Sequence, residues 1–182
     1  MFFSLEVDDE LELQLLEEDH AQGLFRIIEE CRDYLDTWLP WVRENTTLGD
    51  SVDYIHRSRA KFGKGEAIPT GLVYRGELCG TAGLTLDGRT GELGYWVHRD
   101  YQGRGIVTRA CKALTDFGFE HRGMRRCIVR VAPENDKSWA IPERLGFTLE
   151  GTAREAGAHP DGYFDLRVYS LLRREWHDGW PD

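Results

Sequence analysis

Residues 67–97 constrain the fold more than any other part of the chain. Their sequence, AIPTGLVYRGELCGTAGLTLDGRTGELGYWV, contains three apolar stretches separated by the polar, glycine-containing segments RGE and DGRTG. Short apolar runs joined by such tight-turn segments are typical of β-hairpins. The segment therefore predicts an antiparallel meander of three strands.

The sequence before the meander predicts one short strand and two helices. LELQL at 11–15 alternates like a half-buried strand. A helix capped by Asp19 follows and ends near Pro40, which restricts the preceding residue and has no N–H to donate. Asp50 or Ser51 is the predicted N-cap of a second helix, which ends near Gly63. The apolar positions of the first helix recur at three- and four-residue spacing: Leu24, Ile27, Ile28, Cys31 and Leu35.

After the meander, helices and strands alternate. The pattern predicts a helix from about residue 105 to 122, a strand at 127–132, a short helix from Asn135 to Gly146, and strands at 147–153 and 162–172. The order βααβββαβαββ indicates an α/β fold with a mixed, largely antiparallel central sheet flanked by helices. Since the chain contains no linker or repeat, we expect one domain over residues 1–182.

The composition is typical of a globular protein of the cytoplasm. Hydrophobic residues make up 41% of the chain and charged residues 30%. No apolar run of about 18 residues predicts a membrane span, and the acidic N-terminus does not resemble a signal peptide. The four cysteines are widely spaced and form no CxxC pair, so we expect reduced, mostly buried thiols and neither a disulfide framework nor a metal site.

The charge distribution favours a small anionic ligand over nucleic acid. A net charge of −9 argues against nonspecific nucleic-acid binding. Residues 1–30 contain ten acidic residues and one basic residue, Arg26, whereas residues 97–130 contain eight basic and three acidic residues. The basic segment suits an anion, and the acidic first part favours a cationic acceptor such as an amine. The alternative is a solvated basic helix face beside an acidic N-terminus.

The turn YQGRGIVTRA, residues 101–110, lies at the centre of that basic segment. It connects the last meander strand to a predicted helix, whose first N–H groups are free to bind an anion. Gly103 and Gly105 allow the backbone to approach a phosphate closely. A Walker loop is excluded because GxxxxGK[ST] is absent, and a dinucleotide fingerprint is excluded because Thr108 occupies the third glycine position after an antiparallel strand.

The pattern Gln102-Gly103-Arg104-Gly105-Ile106-Val107 resembles the Q/R-x-x-G-x-G/A pyrophosphate motif of the GNAT acyl-CoA N-acyltransferases. Further segments match the RimJ/RimL branch in order and spacing, over nearly the whole chain: WLPWV (38–42), GELGYWV (91–97), ENDKSW (134–139) and ERLGF (143–147). The resemblance implies a GNAT-like fold and transfer of acetyl from acetyl-CoA to an amine, without a metal. Val107 departs from the motif, because Gly or Ala is usual there.

The resemblance also implies how acetyl-CoA is held. The pantetheine arm would pair with the strand backbone at Tyr95, Trp96 and Val97. The pyrophosphate would accept from amides of residues 103–108, with the Thr108 hydroxyl nearby, although that hydroxyl could equally satisfy a neighbouring helix-start amide. Asn135 and Ser138 would lie near the thiol, and Asn135 alone could be a simple N-cap.

Acetyl transfer requires a neutral amine, a stabilised oxyanion and a protonated leaving thiolate. An α-amine has a pKa of about 8 and a lysine about 10.4, so a protein N-terminus is the easier acceptor. Ser138 is the predicted donor to the sulfur, with an ordinary helical serine as the alternative. Pro142 deprives the Ser138 carbonyl of its helical partner, so we expect the helix to bend or open there. The amide of Val97 is the predicted oxyanion donor.

The general base and the acceptor are less constrained. Glu92, in the Glu-x-Gly-Tyr-Trp pattern, is the first candidate for the base; Glu66, Glu155 and His98 are alternatives. Trp38 and Trp41 form either a wall of the acceptor groove or core packing beneath a loop. The leading hypothesis is an N-acetyltransferase acting on a protein or peptide α-amine. A small-amine acetyltransferase and a non-catalytic acetyl-CoA sensor are the alternatives, and the family makes a homodimer an expectation.

Overall fold

One eight-stranded sheet organises the part of the chain that the computed structural model describes, residues 3–176. The strand order across the sheet is β1-β2-β3-β4-β5-β6-β8-β7, and only β5 and β6 are parallel neighbours. The strands are β1 Ser4–Glu6, β2 Leu11–Leu15, β3 Ala67–Tyr74, β4 Glu77–Asp87, β5 Thr90–Val97, β6 Arg126–Val131, β7 Thr148–His159 and β8 Gly162–Leu172. The antiparallel meander predicted over 67–97 is confirmed as β3, β4 and β5.

The helices lie on both faces of this sheet, and the predicted α/β fold class is confirmed. They are α1 Ala21–Leu35, α2 Leu48–Gly63, α3 Ile106–His121, α4 Asp136–Arg144 and the single turn α5 Arg173–Trp176. The element order differs from the prediction at the ends of the described segment, where β1 precedes LELQL and α5 follows the last strand. β1 is only three residues long, too short for an alternating pattern to reveal it.

The predicted N-caps of the first two helices are wrong. Asp19 lies inside a short 3-10 turn, Glu18–His20, that precedes α1. For α2 the cap is Thr47, whose hydroxyl accepts from the amide of Asp50 at 3.3 Å, while the Asp50 carboxylate accepts from the amide of Thr47 at 2.7 Å. This reciprocal pair satisfies two helix-end donors, which neither Asp50 nor Ser51 would achieve as the cap.

Two hydrophobic cores cover the two faces of the sheet. On one face α3 packs through Ile106, Ala110 and Leu114, and Tyr95 and Val97 of β5 join this core. On the other face α1 and α2 enclose a second core, which Trp96 of β5 borders. Neighbouring residues of β5 therefore belong to opposite sides of the molecule, as expected from the two-residue period of a strand.

The cysteines match the prediction of reduced, buried thiols. All four are buried and unpaired, and burial raises the pKa of Cys79 and of Cys127 to about 12. Residues 3–176 contain no group of three or more His, Cys, Asp or Glu side chains arranged to hold a metal ion. No helix in that range is long and apolar enough to cross a membrane.

Candidate active site

The parallel strands β5 and β6 pair over only part of their length. Thr90–Leu93 pairs with residues 126–129, and beyond Leu93 the two strands no longer pair. On its other side β5 stays paired with β4 as far as Val97. From Gly94 onward, β5 therefore has one open edge inside the sheet, between itself and the end of β6.

The alternation along β5 determines which backbone groups face this opening. The amide of His98 donates to a carbonyl of β4 at 2.7 Å. Because successive residues of a strand direct their backbone groups to opposite edges, those of Trp96 also face β4, and those of Tyr95 and Val97 face the opening. Of the three predicted pantetheine contacts, Tyr95 and Val97 thus have backbone groups at the open edge. The indole of Trp96 lies on the opposite face of the sheet.

The turn between β5 and α3 presents backbone N–H groups at residues 103–108 that meet no acceptor within the described range. The first helical bond runs from the amide of Arg109 to the carbonyl of Gly105, at 3.0 Å. Gly103 and Gly105 have φ of 73° and 71°, and a Cβ at either would meet no atom within 4 Å. Glycine is therefore required by the left-handed backbone and not by packing against the protein. Free amides in this arrangement fit a phosphate.

Val107, the departure from the motif, leaves its own amide accessible. Its side chain packs against the core beneath α3, next to the fully buried Ile106. The branched side chain is thus directed into the protein, while the backbone N–H belongs to the free set at the turn. The hydroxyl of Thr108 makes no hydrogen bond within residues 3–176, so it does not cap the helix start.

Five of the eight basic side chains of residues 97–130 pair with acidic residues. The pairs are Arg99 with Asp33, Arg109 with Asp8, Lys112 with Asp116, Arg126 with Glu150 and Arg130 with Glu92. Arg104 differs, since its guanidinium lies 5.4 Å from the centre of the Tyr101 ring and has no acidic partner among residues 3–176. At the turn itself, the groups that remain to attract an anion are therefore the Arg104 guanidinium and the backbone amides.

Two side-chain contacts brace the turn and the open edge. Lys137 on α4 donates to the side-chain carbonyl of Gln102 at 3.0 Å, which ties α4 to the turn. Tyr34 on α1 donates to the carbonyl of Val97, so the last residue of the open edge is held from the other face of the sheet. Tyr34 was not predicted, since nothing local in the sequence of α1 indicates a partner 63 residues away.

Ser138 and Tyr95 are joined by two hydrogen bonds. The Tyr95 phenol donates to the Ser138 carbonyl at 3.0 Å, and the Ser138 hydroxyl lies 3.4 Å from the phenol oxygen. Burial raises the pKa of Tyr95, so this phenol stays protonated. Of the two predicted responses to Pro142, bending and opening, opening is excluded because α4 is continuous from Asp136 to Arg144. The carbonyl that Pro142 leaves without a helical donor is satisfied by Tyr95 instead.

Asn135 is the N-cap of α4, with its side-chain oxygen accepting from the amide of Ser138 at 3.3 Å. The cap fixes Ser138 in the first turn of the helix, directly opposite Tyr95. Trp139 donates its indole N–H to the carbonyl of Pro133 at 3.2 Å, so this tryptophan supports the loop before α4. Asn135, Ser138 and the open edge of β5 are therefore brought together as predicted from their sequence segments.

A cavity of about 640 Å³ lies on the opposite face of β5. Gly94, Tyr95 and Trp96 form its floor together with residues 81–85 of β4. Trp41 stacks on Tyr54 with ring centres 6.5 Å apart and an interplanar angle of 10°, and it lies 6.0 Å from Trp96. Trp38 does not line the cavity. Of the two tryptophans predicted for the acceptor groove, only Trp41 therefore borders this space.

The polar wall of the cavity comes from α2 and was not predicted. Side chains at i, i+3, i+4 and i+7 line it, which are Tyr54, Arg57, Ser58 and Lys61. Burial raises the pKa of Tyr54, whose phenol lies beside the hydroxyls of Ser58 and Thr81. The carboxylates of Glu44, Asp50 and Asp53 also line the cavity. Their sequence pattern is that of an ordinary solvated helix face, so only the tertiary structure distinguishes it.

None of the four candidates for the general base lines this cavity. Glu92 lies on β5 two residues before Gly94 and pairs with Arg130 at 3.4 Å. Glu66 is exposed at the start of β3. Glu155 lies in an irregular part of β7, with φ of 50°. His98 has its Nδ1 accepting from a backbone amide at 3.2 Å and its Nε2 directed to Glu30 at 3.2 Å, so both ring nitrogens are engaged.

Comparison with known proteins finds relatives that are named for acetyl transfer. A family model described as an acetyltransferase (GNAT) domain matches residues 10–148. YdaF of Bacillus subtilis (strain 168), provisionally named a ribosomal N-acetyltransferase, is 37% identical over 180 residues, covering 96% of this chain and 97% of YdaF. The ribosomal-protein-serine acetyltransferase of Escherichia coli (strain K12) is 26% identical over 172 residues, covering 93% and 96% of the two chains.

One solved structure has the same fold as this chain and contains acetyl-CoA. The crystal structure of the microcin C7 self-immunity acetyltransferase MccE, in complex with acetyl-CoA and AMP, superposes with a TM-score of 0.89 at 27% identity. The match covers 92% of this chain and 95% of the MccE chain.

Proposed function

Since this chain belongs to the GNAT acetyltransferase family and transfers acetyl from acetyl-CoA to an amine, we propose that its acceptor is the N-terminal α-amine of a protein or peptide. The observation that carries this proposal is the placement of the cavity, whose floor residues Gly94 and Tyr95 are also the residues at the open edge of β5. The thioester and an acceptor chain can therefore approach β5 from opposite faces of the sheet. The relatives named for ribosomal proteins support a protein acceptor.

The pyrophosphate of acetyl-CoA would accept hydrogen bonds from the free amides of residues 103–108, with Arg104 adding a positive charge. Its pantetheine arm would pair with the backbone groups of Tyr95 and Val97 that face the opening. These contacts are made by the main chain, so they depend on backbone conformation more than on side-chain identity. They would bring the thioester close to Ser138.

The chemistry then needs few specialised side chains. Attack of the amine on the thioester carbonyl gives a tetrahedral oxyanion, for which the Val97 amide is our proposed donor. When the C–S bond breaks, the Ser138 hydroxyl donates to the departing thiolate. Tyr95 positions Ser138 through its carbonyl. Because an α-amine has a pKa of about 8, a modest base suffices, and Glu92 remains our proposal for it.

The test offers the protein acetyl-CoA with peptides that carry either a free N-terminus and no lysine, or a blocked N-terminus and one lysine. Thiol release and mass spectrometry should show acetyl on the α-amine of the first peptide only. The kcat/KM for it should rise with pH and level off near the α-amine pKa of about 8, not near 10.4. Acetylation of lysine alone would contradict the proposal.

A small amine is the second candidate acceptor, because the MccE structure contains AMP beside acetyl-CoA. Turnover of small amines without any peptide acetylation would favour it. If the protein binds acetyl-CoA but releases no thiol with either class of acceptor, it behaves as the sensor. The acetyltransferase relatives disfavour this alternative. A homodimer, a cytoplasmic location and a single domain over residues 1–182 remain predictions. Light scattering of the purified protein measures the first of these.

A further inference from the structure

The helix α2 carries two basic side chains into the acceptor cavity, and neither has a partner. Arg57 and Lys61 both line the cavity. Within residues 3–176 neither side chain has a hydrogen-bonding or ion-pairing partner. Their neighbour Arg59, on a different face of α2, pairs with Glu17 at 2.8 Å. The cavity therefore contains two cationic groups that pair with no acidic side chain of residues 3–176.

Of the three acidic groups that line the cavity, Asp50 and Asp53 lie toward the other end of α2, and Glu44 precedes this helix. Asp53 precedes Arg57 by one helical turn, and Lys61 follows it by another, so the three side chains are stacked along one face. Their spacing covers about 12 Å along the helix axis. Glu44 and Asp50 line the cavity with Asp53. An acceptor in this cavity thus meets negative charge at one end and positive charge at the other.

The reacting centre lies alongside this charged face. Tyr54, between Asp53 and Arg57, lies beside Thr81, and Thr81 pairs with Trp96 of β5. Lys61 lies near the end of α2, shortly before β3 begins at Ala67. Ala67 pairs with Thr85 of β4, and Ala67 and Thr85 both line the cavity. The open edge of β5 begins at Gly94, which lies between these two levels. Gly94 and Lys61 line the same cavity, so the first few residues of an extended peptide, rising about 3.3 Å each, would share that cavity with Lys61.

We propose that Arg57 and Lys61 select acceptor peptides that carry an acidic side chain within their first four residues. This rests on the proposed function, since it assumes a peptide acceptor. The carboxylate would accept from the guanidinium and ammonium groups, while the acidic end of the cavity favours the cationic form of the incoming amine before it loses its proton. The net charge of −9 would predict a preference for basic peptides. Local pairing with Arg57 and Lys61 and the overall charge of the protein therefore make opposite predictions.

The experiment measures kcat/KM for octapeptides with an N-terminal serine and a single Glu moved through positions 2, 3, 4 and 8, each compared with its Gln counterpart. The wild type should prefer Glu over Gln at one or more of positions 2–4 by about tenfold, the size of one partly exposed charge-assisted contact. At position 8 the two peptides should be equivalent. Equal rates for every Glu and Gln pair would overturn the proposal while leaving N-terminal acetylation intact.

Variants distinguish a direct contact with Arg57 and Lys61 from an effect of the overall charge of the protein. The double variant Arg57→Gln/Lys61→Gln should lose the preference for Glu over Gln at every position, whatever its rate on the Gln peptides, and Arg57→Glu/Lys61→Glu should prefer Lys peptides. Lys64→Gln is the matched control, since Lys64 is also exposed and unpartnered in the described range but does not line the cavity. If Lys64→Gln reduces the preference as much, or the double variant retains it, the proposal is wrong. If no peptide is acetylated at all, the proposed function itself fails.

Discussion

The two sides of β5 differ in the way they are built. On the side of the opening, the groups that we propose to bind acetyl-CoA are backbone amides of residues 103–108 and the strand edge at Tyr95 and Val97. On the cavity side, the lining consists of side chains from the loop at 39–45, from α2 and from three strands. One side depends on the conformation of a continuous segment, and the other on side chains that tertiary folding brings together.

This difference explains which half of the site a sequence reveals. A backbone cradle needs glycines at fixed spacing, so Gly103 and Gly105 leave a local signature. The acceptor wall is formed by side chains such as Trp41, Tyr54 and Arg57, which line one cavity only in the folded protein. No short-range sequence pattern predicts that they lie together. The acceptor side is thereby free to vary between relatives while acetyl-CoA binding stays the same.

The largest effect is expected at the point where the two sides meet. Ser138→Ala should lower kcat by roughly 100-fold, because the departing thiolate loses its proton donor. The acetyl-CoA Kd should remain within about twofold, since the cradle amides are untouched. Steady-state kinetics and calorimetry measure the two quantities.

Tyr95→Phe is the companion variant, since it keeps the Ser138 hydroxyl and removes its anchor. We expect a smaller loss in kcat, about tenfold, and a stability loss of about 1–2 kcal/mol from the unsatisfied Ser138 carbonyl. A Ser138→Ala enzyme with normal kcat would assign the proton donation to another group.

The cradle can be broken without touching the acceptor side. Gly105→Val should raise the acetyl-CoA Kd by about tenfold or more, because a branched side chain at φ of 71° distorts the turn and occupies the space of the phosphate. Gly88→Val is the matched control, with φ of 58° and open space around its Cβ in the turn between β4 and β5. Both variants should lose similar stability in thermal unfolding, and only the first should lose acetyl-CoA binding. Equal Kd values for the two would show that the turn is not the cradle.

The acceptor side is tested by the two tryptophans. Trp41→Ala should raise the KM for a peptide acceptor by about fivefold, since it removes the ring that stacks on Tyr54 in the cavity wall. Trp38→Ala should change this KM little, because Trp38 does not line the cavity. The acetyl-CoA KM should not change in either variant. The reverse order of effects on the peptide KM would identify a different acceptor groove.

The smallest effect concerns the hairpin between β7 and β8. Arg43 holds Asp36 on one side at 2.8 Å and Asp161 at the hairpin tip at 2.6 Å, and these hydrogen bonds lower the pKa of both carboxyls. A lowered folded-state pKa contributes stability that is present above the ordinary value of 3.8 and is lost as the pH falls below it. Arg43→Gln should therefore be slightly less stable than the wild type at pH 7.

The difference in stability between wild type and Arg43→Gln should disappear at a pH below the pKa values of Asp36 and Asp161, because both carboxyls are then protonated in either protein. Denaturant unfolding at pH 7 and at pH 3 or below measures it. A gap between wild type and Arg43→Gln that persists unchanged in acid would indicate that Arg43 acts by packing and not through its two ion pairs.

The sequence predicted the fold almost completely, because glycine-punctuated strands and the apolar spacing of α1 and α3 are local signals. It missed β1, which has only three residues, and the Thr47 cap, since Asp50 has the same capping chemistry three residues later. For the site, the sequence predicted the segments that contain Ser138, Tyr95 and the turn, and their roles remain predictions. It could not predict that the Tyr95 phenol takes the carbonyl freed by Pro142, since that contact spans 43 positions.

The gap between β5 and β6 has a consequence for the energetics of the whole sheet. Strands β1–β5 and β6–β8 are held together within the sheet by only the four residue pairs from Thr90 to Leu93. If the pantetheine arm pairs with Tyr95 and Val97, the substrate acts as a ninth strand that lies between the two halves. Acetyl-CoA would then slow hydrogen exchange at amides of β6 and β8 as well as at the turn, and would raise the cooperativity of unfolding. The donor substrate would thus be a structural element of the protein for as long as it is bound.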